Sequence, residues 1–155
     1  MNSKNKIISA HKALSISQRA KKKGLKVVFT NGCFDIVHAG HVKSLEKARS
    51  FGDILIVGLN SDLSVKRLKG KNRPINKFLD RAAVLAAFYC VDYVVGFSED
   101  TPYRLIKDIK PDILVKGGDY NPKEVVGAEF SGKVKIIPLL KGRSTTKIIE
   151  KSRHK

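Results

Sequence analysis

The chain has no tryptophan, a single methionine and only two cysteines, and aromatic residues make up just 7% of it. Cys33 and Cys90 are too few for a disulfide framework and fit a reducing compartment. No apolar run approaches the roughly 18 residues that a bilayer-spanning helix needs. The polar start, Met1-Asn2-Ser3-Lys4-Asn5-Lys6, lacks the apolar core of a secretory signal, so the expected location is the cytoplasm, with no membrane partner. Acidic residues are scarce as well: 14 against 31 lysines and arginines, a formal net charge of +17. By itself that excess permits nucleic acid, an acidic membrane surface or a polyphosphate substrate. The shortage of rings for base stacking, and the scatter of lysines through every segment, weigh against a nucleic-acid-binding protein.

What is present is a normal globular share of apolar residues, 42% of 155, enough for one well-packed domain. Strand-like and helix-like segments alternate. Ile7 to Lys23 has helical spacing at Ala13, Leu14 and Ile16 and ends in Lys21-Lys22-Lys23-Gly24, a basic last turn with a glycine stop. Strands are expected at Lys26–Thr30, Asp53–Leu59, Tyr93–Val95, Ile113–Val115 and Val134–Ile137. Helices are expected from about His41 to Ser50, from Phe78 to Phe88, after Thr101-Pro102 and from near Ser144. The basic stretch Lys66 to Pro74 reads as a loop. Strands separated by helical segments of this length predict an α/β fold, a Rossmann-like doubly wound parallel sheet in a single domain, with ligands beyond the carboxyl ends of the strands.

The most informative segment is the strand that breaks at Asn31-Gly32-Cys33-Phe34-Asp35 and re-enters as a helix through His38-Ala39-Gly40-His41. Such a junction leaves backbone N–H groups for phosphate oxygens. Two histidines three residues apart in a first helical turn can reach one anion, and Gly40 lets a phosphate approach the main chain. Metal binding and simple core packing of the histidines are the competing readings. The chain offers no third and fourth ligand at zinc-type spacing and no His-Glu-x-x-His helix, so no protein-held metal is expected.

Further along, Lys116-Gly117-Gly118-Asp119-Tyr120 follows a strand and either borders a nucleotide or is a plain turn. Ser144-Thr145-Thr146, preceded by Lys141-Gly142-Arg143, opens a helix: an ordinary cap on the simplest view, a second phosphate site on the sharper one. The loop cations Lys66, Lys69, Lys71 and Arg73 either face water or close over a triphosphate, and Arg81 supports that loop or faces solvent.

Taken in order, Asn31-Gly32-Cys33-Phe34-Asp35, His38-x-Gly40-His41, Asn60-Ser61-Asp62, Arg67-Leu68-Lys69-Gly70, Arg73-Pro74, Lys116-Gly117-Gly118-Asp119-Tyr120 and Ser144-Thr145-Thr146 resemble the cytidylyltransferase-like nucleotidyltransferases, and within them the heptose 1-phosphate adenylyltransferase branch. The resemblance covers about the whole chain. It implies an N-terminal helical segment over 1–24, a nucleotidyltransferase domain over 25–155, and transfer of AMP from ATP to D-glycero-β-D-manno-heptose 1-phosphate, giving ADP-heptose and pyrophosphate for lipopolysaccharide core synthesis. On that footing His38, His41 and Lys69 are catalytic. Asn31, Gly32, Cys33, Phe34, Gly40, Lys116, Gly117, Asp119, Ser144, Thr145 and Thr146 bind the nucleotide. Asp35, Asn60, Asp62, Lys71 and Arg73 bind the sugar phosphate. Magnesium accompanies ATP, held mainly by the phosphates. In many bacteria the unit is fused behind a sugar kinase; here a stand-alone enzyme is expected, a homodimer or higher homo-oligomer. The alternatives are a cytidylyltransferase acting on glycerol phosphate or a similar alcohol phosphate, and the nucleic-acid-binding protein already weighed.

Overall fold

The continuous apolar runs become the middle of a six-stranded sheet in the computed structural model, which describes residues 2–138 and 144–153. Val27–Gly32 (β2) and Ile54–Asn60 (β3) are buried on both faces, as strands covered by helices on both sides must be. With Ile7–Ile8 (β1), Tyr93–Phe97 (β4), Ile113–Gly117 (β5) and Lys133–Ile137 (β6), they form an all-parallel sheet of order β1-β4-β3-β2-β5-β6. The chain moves outward from β2 to β3 and β4, then crosses to β5 and β6 on the other side. The topological switch therefore lies between β2 and β5, where a crevice opens at the carboxyl ends.

Ala39–Arg49 (α2) and Phe78–Ala87 (α4) cover one face of the sheet through Leu45, Ala48, Ala82, Leu85 and Ala86. Ala10–Lys22 (α1) and Tyr103–Ile109 (α5) cover the other through Ala13, Ala20, Leu105, Ile106 and Ile109. Asp62–Lys69 (α3) follows β3, and Thr145–Arg153 (α6) closes the described chain. At the amino ends of the strands three carboxylates bridge neighbours. Asp53 accepts the Lys26 N–H at 2.7 Å, Asp112 the Val27 N–H at 2.8 Å and Asp92 the Leu55 N–H at 2.8 Å.

Two expectations are corrected. Ile7 and Ile8 are not helical: they pair with Val94 and Val95 as an edge strand, and the helix starts only at Ala10 after its Ser9 cap. The Lys66–Lys69 segment is not loop but the last turn of α3, capped at its start by the Ser61 hydroxyl on the Ser64 N–H; only from Gly70, at φ 102°, does the chain leave helical geometry.

Candidate active site

A cavity of about 700 Å³ fills the crevice. Its floor is the turn after β2. Phe34 there has φ 45°, a left-handed conformation that a bulky residue adopts only when its surroundings enforce it. Its ring folds back over Gly32, where an added Cβ would sit 2.9 Å from the ring, and lies 5.1 Å from the His41 ring. Glycine at 32 is thus a packing requirement.

His38 is the N-cap of α2 and His41 its third residue, and together they form a reciprocal capping box. The His38 Nδ1 accepts the Gly40 N–H at 3.1 Å, and the His41 Nδ1 accepts the His38 N–H at 3.4 Å. The rings stack with centroids 3.9 Å apart. The helix start therefore does not offer all of its N–H groups to an anion, because the histidines take part of them. Holding each Nδ1 as an acceptor puts the proton of a neutral ring on Nε2. Burial, with the nearby His38, pushes the His41 pKa down to about 4, so that ring is a neutral donor at physiological pH.

Cations surround this pair. Lys69 and Arg73 line the cavity from the α3 side and Lys116 from β5. Burial lowers the Lys116 pKa, and burial raises that of the half-buried Cys33 thiol against the pull of Lys69, Arg81 and Arg73. The Cys33 thiol is therefore a poor nucleophile at neutral pH. Asp35, 3% exposed, clamps the segment after α3. It accepts Arg73 Nε at 2.6 Å and the Ile75 and Asn76 N–H groups at 2.8 and 2.9 Å, while the Asn76 side chain donates to its carbonyl at 2.6 Å. Burial alone would raise the Asp35 pKa; the Asn76 and Ile75 amides and Arg73 outweigh it and hold the carboxyl below its usual range.

Arg81 is the residue whose role sequence reasoning left open, and the structure makes it the hub behind the site. Its side chain is fully buried. It donates to the carbonyls of Asn76 (3.0 Å), Cys33 (2.6 Å) and Asn60 (2.9 Å) and to the Asp62 carboxylate at 2.8 Å. One guanidinium thus ties the turn after β2, the end of β3, the first turn of α3 and the segment before α4.

Of the residues singled out from sequence, Asn31, Gly32, Cys33, Phe34, Asp35, His38, Gly40, His41, Asn60, Lys69, Arg73, Lys116, Ser144, Thr145 and Thr146 line this one cavity. Ser144 also acts as an ordinary cap on the Lys147 N–H at 3.2 Å, and the Thr145 hydroxyl donates to the Ile36 carbonyl at 3.1 Å. Five others do not line it, among them Lys66, exposed on the last turn of α3. Asp62 is taken by Arg81, and Lys71 lies out in solvent beyond Gly70. Gly117 sits on the opposite side of the β5 pleat from Leu114 and Lys116, and Asp119 is exposed past the Gly118 turn. The expected contribution of Lys141, Gly142 and Arg143 lies outside the described residues. The lining also includes Asp100, Thr101 and Pro102 from the loop before α5, with Tyr120, Glu124, Val125 and Val126 beyond β5; of these only Tyr120 carried a sequence signal for the site. Among the described residues no group of three or more His, Cys, Asp or Glu side chains could hold a metal ion, and no helix is long and apolar enough to cross a membrane.

Comparison with known proteins agrees with this geometry. Bifunctional protein HldE of a Nitratiruptor species is 62% identical over 138 residues, 89% of this chain and 30% of that protein. The chain spans about 30% of the length of the curated relatives it matches. The crystal structure of the lipopolysaccharide core biosynthesis protein from Thermoplasma volcanium superposes with a TM-score of 0.63 at 29% identity, covering 77% of this chain and all of that one. Pantoate-beta-alanine ligase from Francisella tularensis, at 18% identity and a TM-score of 0.60 over 95% of this chain and 76% of its own, shares the fold. The cytidylyltransferase-like family model matches residues 29–151, which span the histidine turn, the α3 cations and the hydroxyls at the start of α6: the chain belongs to the cytidylyltransferase-like family.

Proposed function

We propose that the chain transfers AMP from ATP to D-glycero-β-D-manno-heptose 1-phosphate, releasing pyrophosphate and ADP-heptose for lipopolysaccharide core synthesis. The observation that carries the reading is the pair of stacked histidines, each held through Nδ1, in a cavity ringed by Lys69, Arg73 and Lys116. Its sugar specificity is supported by the resemblance of the Arg67-Leu68-Lys69-Gly70, Arg73-Pro74 and Lys116–Tyr120 motifs to the heptose branch, and by likeness to a lipopolysaccharide core biosynthesis protein.

The acceptor's phosphate has its second ionisation near pKa ~6, so at neutral pH the attacking oxygen is already an anion and no general base is required. The protein's part is orientation and charge stabilisation. The neutral Nε2–H donor of His41 and the ring of His38 stacked on it hold the phosphate oxygens where charge develops at the α-phosphorus. Lys69, Lys116 and Arg73 offset the charge of the departing pyrophosphate, and the hydroxyls of Ser144 to Thr146 bind phosphate from the start of α6. Magnesium enters with the substrate, chelated by the triphosphate.

The testing experiment is a pyrophosphate-release assay with each nucleoside triphosphate crossed against heptose 1-phosphate, glycerol phosphate and pantetheine phosphate. Turnover only with ATP and heptose 1-phosphate is the expected result. A preference for CTP with glycerol phosphate would overturn the reading.

A further inference from the structure

The cavity contains three acids, which a pocket built only for a triphosphate would exclude: Asp35, Asp100 and Glu124. Both carboxylate oxygens of Asp35 are taken by Arg73, Ile75 and Asn76. Asp100 is different. Its Oδ1 accepts Arg67 Nε at 2.7 Å, and the same guanidinium is fixed by donating from Nη2 to the Ser98 carbonyl. Its second oxygen accepts no hydrogen bond from the described residues. The adjoining Thr101 hydroxyl also lines the cavity and is engaged by none of them. Glu124, on a short 3-10 turn, has no partner among the described residues to fix its carboxylate.

From this we infer that Asp100, oriented by Arg67 and flanked by Thr101, selects the acceptor by taking hydrogen bonds from its hydroxyl groups. The loop before α5 is then the polyol end of the cavity. The inference rests on the sugar-phosphate reading above. A carboxylate repels phosphates, so the triphosphate belongs against the histidines and lysines, and what faces Asp100 must be a neutral donor. Adenine is the other donor-bearing group, but Leu114 and Tyr120, which offer apolar and aromatic surface, come from β5 and the loop beyond it. In the sheet β4 and β5 are separated by β3 and β2. Three strand spacings place their ends about 14 Å apart. That separation leaves room for the phosphates between a base at one end and a sugar at the other. A carboxylate held by a guanidinium accepts two neighbouring hydroxyls in a fixed geometry; at 61% exposed it returns to water when the acceptor lacks them, so the preference it confers is modest.

The test is steady-state kinetics of the wild type, Asp100→Ala, Asp100→Asn and Arg67→Gln, with heptose 1-phosphate and propyl phosphate, which carries no hydroxyl, as rival acceptors. For Asp100→Ala the kcat/KM ratio of heptose phosphate over propyl phosphate should fall about 3- to 10-fold, mainly through a higher KM for the heptose phosphate. The KM for ATP should stay within about twofold of the wild type. Asp100→Asn, which keeps the shape, should fall between, and Arg67→Gln should move the ratio in the same direction by less. An unchanged ratio, or a loss confined to the KM for ATP, overturns the assignment. If the wild type turns over no sugar phosphate at all, the proposed function fails and takes this inference with it. If the wild type uses the heptose phosphate and Asp100→Ala discriminates equally well, only the role of Asp100 is wrong.

Discussion

Among the described residues, removing the Arg81 guanidinium should cost the fold more than removing any other single cation. Arg81→Met keeps most of the stem's volume but strands three carbonyl acceptors, those of Cys33, Asn60 and Asn76. Each buried acceptor left without a donor costs about 1–3 kcal/mol. The Asp62 carboxylate, 36% exposed, can turn to water, so its share is small. Only the Asn60 acceptor is fully buried, those of Cys33 and Asn76 being part-buried, so the bottom of that range for each gives about 3 kcal/mol. At roughly 2–4 °C per kcal/mol for a chain of this length, Tm should fall by about 6–12 °C. Urea denaturation of wild type, Arg81→Met, Asp62→Ala and the double variant measures this directly. The double-variant cycle should show a coupling of no more than about 1 kcal/mol, with most of the loss persisting when Asp62 is already gone. A loss below about 1 kcal/mol in Arg81→Met would refute the reasoning. It would mean that desolvating the guanidinium costs as much as its hydrogen bonds return.

His38→Ala and His41→Ala should each lower kcat by about 10²–10³-fold with a smaller change in the KM for ATP, as stopped-time pyrophosphate release would show; near wild-type turnover in either would remove that histidine from the chemistry. Because His41 is driven from about 6.5 in the unfolded chain to about 4 in the fold, its contribution to stability is fully present above about pH 6.5 and is lost as pH falls to about 4. His41→Gln should flatten that window in urea titrations, while the acid loss due to Asp35, whose folded pKa is depressed, should remain at lower pH. Lys69→Ala and Arg73→Ala should slow turnover about 10-fold or more in a salt-sensitive way. Lys71→Ala should fall within about twofold of wild type; the reverse ranking would put the solvent-exposed lysine in the site. Cys33→Ser should remain active, with sequential kinetics and inversion at the α-phosphorus; an adenylylated enzyme would contradict direct transfer.

The parts of this site legible in the sequence are those whose signal is local. The glycine break, the histidine spacing and the hydroxyl run each announce a turn or a helix start within a few residues, and all three line the cavity. What escaped depends on distance or on the pleat. Asp62, which the resemblance gives to the sugar phosphate, is matched in the fold to Arg81, 19 positions on, a pairing that no local pattern shows. Gly117 and Asp119 followed the right strand, but alternation along β5 gave the cavity to Leu114 and Lys116. The last turn of α3 was hidden because its buried side, Ser64 and Val65, is only two residues wide, and the rest is charge. Ile7 and Ile8 could join a sheet edge only because β4 leaves that edge open, which no local pattern reveals.

The three aspartates at the amino ends of the strands rivet β2 to β3, β2 to β5 and β3 to β4 on the side of the sheet away from the cavity. β2 and β3 stay paired as far as Gly32 and Leu59, whereas β2 and β5 pair only at Val28–Ile113 and Phe29–Leu114, so the sheet behaves like a hand fan with one open fold, pinned at one end and free to part between β2 and β5 at the other. Amide hydrogen exchange should then be slowest at Val27 and Leu55 and quicken toward Asn31 and Gly32, so the crevice can widen for two substrates and narrow around them without any strand pair unzipping.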